Sequence, residues 1–98
     1  MRVRASRGGS PMVVAFYKLY GDKSVTAVQV AEALEEYASS GSGISAVIVT
    51  ELIDRTKPDA DLRAKMIQSA IKGKKDQAQR GFDADAQEYL DVAKHLAS

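Results

Sequence analysis

The stretch from Val25 to Gly43 leaves little freedom in how it folds. Thr26 and Gln29 stand three residues apart, the spacing of a capping box, and Val25 is placed to staple onto Val30. After the cap, Ala27, Val30, Ala31, Leu34, Tyr37 and Ala38 recur at intervals that bring them to one side of an α-helix. Gln29, Glu32, Glu35, Glu36 and Ser39 take the other side, and Ser39-Ser40-Gly41-Ser42-Gly43 ends the segment. A helix with one apolar side needs other elements to cover it.

Composition says what those elements are. The chain has 98 residues, a length that suits one core, and it contains no tryptophan and only two phenylalanines. Fifteen of its apolar residues are alanine, a mix suited to close-packed helices rather than to a sandwich or barrel. The expectation is an all-α bundle of four to five short helices over residues 10–98, preceded by a flexible basic arm at residues 1–9.

The other segments follow the same logic. Ser10-Pro11 and Gly21 punctuate a short helix. Val13 to Tyr20 also has strand composition, and pairing it with Met1 to Ser6 across Arg7-Gly8-Gly9 would make an N-terminal β-hairpin and an α+β fold instead. Ser45 opens a segment from Ala46 to Arg55 whose density of β-branched residues leaves strand as an alternative, and whose apolar residues cover more than half of a helix circumference. It reads as a helix buried by other elements or by a second subunit. Asp59 starts a further helix with Leu62, Met66, Ile67, Ala70 and Ile71 inward, which either ends at Gly73 or runs on. Its polar row is Lys65, Gln68, Lys72, Lys75 and Gln79. Asp85 and Glu88 form an acidic capping box for a last helix that reaches the C-terminus.

Little of this composition supports chemistry. Cysteine is absent, and the one histidine, His95, lies in the last turn of the last helix with Asp91 four residues back as an ordinary partner. No nucleophile elbow and no phosphate-binding glycine loop occurs. Asp59/Asp61 and Asp83/Asp85 suggest a hard cation, but each pair opens a helix, where acids cap free N–H groups, and the EF-hand positions after Asp83 hold Glu88 and Lys94. The reading is therefore non-enzymatic, with no catalytic residue, no metal site, no cofactor and no evident small-molecule substrate.

The net charge of +1 hides alternating blocks. Residues 1–20 carry four bases and no acid, residues 21–60 three bases and seven acids, residues 61–81 six bases and two acids, and residues 82–98 one base and four acids. Such blocks either pair with one another or steer a polar partner. No apolar run approaches the roughly 20 residues of a membrane span, and a cytoplasmic setting is expected.

Two functions fit. The first is a protein-interaction or assembly module that self-associates or binds a protein partner, with Val47, Val49 and Ile53 of the apolar helix as the candidate interface. The alternative is a small nucleic-acid-binding regulator. The run Val25 to Leu34 followed by Gly43 to Val49 resembles a helix-turn-helix of the kind found in small regulators. The resemblance implies that the second helix would read DNA, and there it offers Ala46, Val47, Thr50 and Glu51. Phosphate contacts would come from Arg2, Arg4 and Arg7 on the arm and from Lys72, Lys74, Lys75 and Arg80.

Overall fold

The computed structural model of the chain describes residues 11–98, with side chains from Phe16 onward. Five α-helices and no strand are found among these residues: α1 Pro11–Gly21, α2 Ala27–Ser40, α3 Ala46–Thr56, α4 Ala60–Gln79 and α5 Asp83–Ala97. The all-α expectation holds. Val13 to Tyr20 lies within α1, so the hairpin alternative is not adopted. The proposed arm at residues 1–9 lies outside the described residues.

Tertiary contact explains why the β-branched α1 is helical. Phe16 is buried, and its ring meets that of Tyr37 on α2 edge-on with centroids 4.3 Å apart. At the other end of α1, Arg55 of α3 donates to the Tyr20 carbonyl at 2.7 Å and lies over the Tyr20 ring.

Caps set the helix boundaries. Thr26 and Gln29 form the full capping box of α2, and Gly41 at φ 74° closes the helix in the left-handed region that glycine enters without strain. Asp59 Oδ1 accepts from the Leu62 amide at 2.9 Å to open α4. The start of α5 departs from expectation. It begins at Asp83, with Phe82 at the N-cap and no side-chain cap, so Asp85 and Glu88 do not form a capping box. Glu88 instead accepts from the Ala46 amide at 2.7 Å and caps α3.

One apolar cluster joins all five helices. It includes Phe16 of α1, Leu34 and Tyr37 of α2, Val49, Leu52 and Ile53 of α3, Met66 and Ala70 of α4, and Tyr89, Val92 and Leu96 of α5. Helix α4 continues unbroken through Gly73, which is buried against α5. Arg63 donates through Nε and Nη2 to the Leu96 carbonyl at 3.2 and 2.8 Å, satisfying the C-terminal end of α5. No helix among the described residues is long and apolar enough to cross a membrane.

Candidate interaction groove

Helices α2 and α4 lie side by side and run in the same direction. Val28 and Leu62 line one groove near their starts, Lys72 Nζ donates to Ser39 Oγ at 3.2 Å further along, and Gln77 Nε2 donates to the Gly41 carbonyl at 2.8 Å at the end. Val30, Leu34 and Tyr37 of α2 and Met66 and Ala70 of α4 face the core. The residues between that core and solvent line an open groove of about 500 Å³.

Its lining is mixed: Val28, Ala31 and Leu62 are apolar, Gln68 and Ser69 are polar, and Val28, 51% exposed, stands on the outer side of α2 with Glu32 and Glu35. The rims carry opposite charge. Glu32 and Glu35 edge the α2 side, and Lys65 and Lys72 the α4 side, all four exposed. Helical spacing produces this, since residues three and four apart share a face. The ion pairs among the described residues are Arg55–Glu51, Arg80–Asp76 and His95–Asp54, and none crosses the groove. Lys72 and Gln68 also border an adjoining shallow surface with Ile71 and Lys75, where Ile71 is 41% exposed.

The residues singled out from the sequence scatter over the fold. Val49 and Ile53 are buried in the chain's own core, whereas Val47 points outward and is 74% exposed. They do not form one surface, and the reason lies in α3: its broad apolar side is covered by α1, α2 and α5 of the same chain. Among the basic candidates, Lys72 and Lys75 share the outer side of α4. Lys74 is half-buried and sits about 200° around the helix from Lys72. Arg80 is held by Asp76 at 3.2 Å. The four do not make a single patch, and Arg2, Arg4 and Arg7 lie outside the described residues.

The α2–α3 unit that resembles a helix-turn-helix has its turn fastened from beneath. Gln77 holds the Gly41 carbonyl, the Tyr89 hydroxyl donates to the Ser42 carbonyl, and Glu88 holds the Ala46 amide. On α3, Ala46 is buried and the Thr50 hydroxyl turns back to the Val47 carbonyl at 3.2 Å. Val47 and Glu51 are left on the outside beside Asp54. Glu51 accepts from Tyr20 at 3.2 Å and pairs with Arg55 at 3.1 Å, and Asp54 pairs with His95 at 2.7 Å. His95 therefore meets α3 rather than Asp91, which accepts from Gln87 at 2.8 Å.

A smaller cavity of about 60 Å³ lies among Phe16, Tyr17, Tyr37, Ser45, Ile48 and Val49. The Tyr37 hydroxyl is buried and makes no hydrogen bond among the described residues. Burial raises the pKa of that phenol, with the nearby Phe16 backbone offsetting part of the rise without meeting hydrogen-bond geometry. Burial also holds the Tyr89 phenol well above the ordinary tyrosine range, aided by the charges of Asp85 and Asp76. No group of three or more histidine or acidic side chains among the described residues is arranged to hold a metal ion.

Sequence reasoning did identify the two polar rows that became the rims of the groove, Glu32 and Glu35 on one helix and Lys65, Gln68 and Lys72 on another. It missed that they face each other. No protein-family model, curated protein or solved structure matches the chain.

Proposed function

We propose that the chain is a non-enzymatic protein-interaction module that receives a protein partner in the α2–α4 groove. The observation that carries this reading is the groove itself, with exposed Val28 at its edge and two sides of opposite charge that no ion pair joins. Burial of Val28, Ala31 and Leu62 contributes association energy, and the flanking charges contribute orientation and discrimination. Nucleic acid suits the same surface less well, because the α2 carboxylates lie beside the α4 lysines and would repel phosphate.

Site-specific photocrosslinking in cells tests the reading. A photoreactive residue at position 28 or 68 should give discrete protein adducts, and one at the exposed position 54 should not. Adducts to nucleic acid instead, or equal labelling at all three positions, would overturn it.

A further inference from the structure

We infer that the occupant of the α2–α4 groove is a second copy of this chain, related to the first by a twofold axis that runs along the groove. The inference rests on reading the groove as a protein-binding site and adds the identity of the partner. The two rims are complementary to each other, so the groove is complementary to itself in one orientation. When two copies meet face to face about an axis along the groove, α2 of each lies against α4 of the other. The acidic rim then meets the basic rim twice. An axis in the interface but across the groove would set α2 against α2 and α4 against α4, placing like charges together.

The register also fits. Rotation about an axis along the helices leaves each residue at its own level. Val28 and Leu62 line the same groove and Lys72 reaches Ser39, 33 residues away in sequence; taking both pairs as level puts Glu32 opposite the partner's Lys65. Glu35 falls about one turn from both the partner's Lys65 and the partner's Lys72, a gap of about 5 Å that a lysine side chain spans. The same meeting covers exposed Val28 of each copy and brings Ala31 and Leu62 toward their counterparts. With a net charge of only +1, two copies have little overall repulsion to overcome.

The area sets the strength. Two adjacent helices, one about 20 Å and the other about 30 Å long, present a face on the order of 500 Å², short of the roughly 800 Å² per partner of a stable interface. Interfaces of this size are characteristically weak and transient, so the two copies exchange and associate at submillimolar concentrations of the chain.

Charge reversal provides the test. Glu32→Lys with Glu35→Lys makes both rims basic, and Lys65→Glu with Lys72→Glu makes both acidic. These side chains are exposed, and circular dichroism checks that each variant keeps its fold. In sedimentation equilibrium the wild-type chain should dimerise, and each double variant alone should associate at least about tenfold more weakly. An equal mixture of the two variants should recover dimerisation to within about threefold of wild type, because each rim again meets its opposite. A wild-type chain that stays monomeric at about 0.5 mM overturns the inference. So does a dimer indifferent to both reversals, or a mixture that does not recover. If the chain is monomeric but position 28 crosslinks to a different protein, this inference falls while the reading of the groove stands; if position 28 crosslinks to no protein at all, both fall.

Discussion

The ring of Tyr89 on α5 occupies the space that any side chain at Gly73 on α4 would need. A Cβ at Gly73 would collide with Tyr89 Cε1, and Tyr89 is fully buried with its hydroxyl engaged by the Ser42 carbonyl. Gly73 thus lets α4 and α5 approach closely, in the middle of a helix where glycine is otherwise unfavourable. Gly73→Ala gains about 1 kcal/mol of helix propensity, but forcing aside a ring tied at its far end costs about 1–3 kcal/mol. The steric cost wins, and thermal denaturation should show Gly73→Ala melting several degrees below wild type.

Two tyrosine hydroxyls make a contrast. Tyr89→Phe removes the donor to the Ser42 carbonyl and should cost about 1 kcal/mol in urea unfolding. Tyr37→Phe removes a buried hydroxyl that has no partner among the described residues, so it should be neutral or slightly stabilising. Equal losses from the two variants would mean that the Tyr37 hydroxyl has a partner in solution.

Alkaline pH acts through the same residues. Burial raises the pKa of Tyr89 and Tyr37 in the folded chain, whereas in the unfolded chain they ionise near the ordinary 10.0. A raised folded-state pKa contributes stability that is fully present below the unfolded value and lost as pH climbs above it. Each phenol that ionises only on unfolding removes about 1.4 kcal/mol per pH unit above that point. Unfolding free energies measured from pH 9 to 11 should therefore fall above pH ~10, less steeply for Tyr37→Phe. Stability that is flat over this range would contradict the assignment.

Residues of α3 separate core from surface. Val49→Glu and Ile53→Glu each place a carboxylate in the chain's own core and should unfold the protein, because a buried unpaired charge costs several kcal/mol. Val47→Glu, at a position 74% exposed, should change stability by less than about 0.5 kcal/mol. Circular dichroism of the three variants distinguishes them.

How much was legible in advance depended on whether a feature is local. The capping box of Thr26 and Gln29 and the cap at Asp59 are read and made within four residues, and both stand where their spacing puts them. Asp85 and Glu88 have the same local spacing, yet Glu88 serves an amide 42 residues away in sequence, and periodicity carries no sign of that. Gly73 could stop a helix or admit a neighbour, and the choice is made by Tyr89. The apolar circumference of α3 did signal burial, but whether the cover comes from this chain or another is a property of the assembled helices. The groove is the same case: Glu32, Glu35, Lys65 and Lys72 are visible as two polar rows, and only the parallel packing of α2 on α4 turns them into facing rims.

The central claim, that the chain associates through the α2–α4 groove, is tested most directly by following backbone amide resonances as the purified chain is diluted from about 0.5 mM to about 10 μM, a range that spans the affinity expected of so small an interface. The account predicts concentration-dependent shifts at Val28, Glu32, Lys65 and Gln68, with Val47 and Asp54 on α3 unmoved. Shifts confined to α3, or none anywhere across the range, would contradict it.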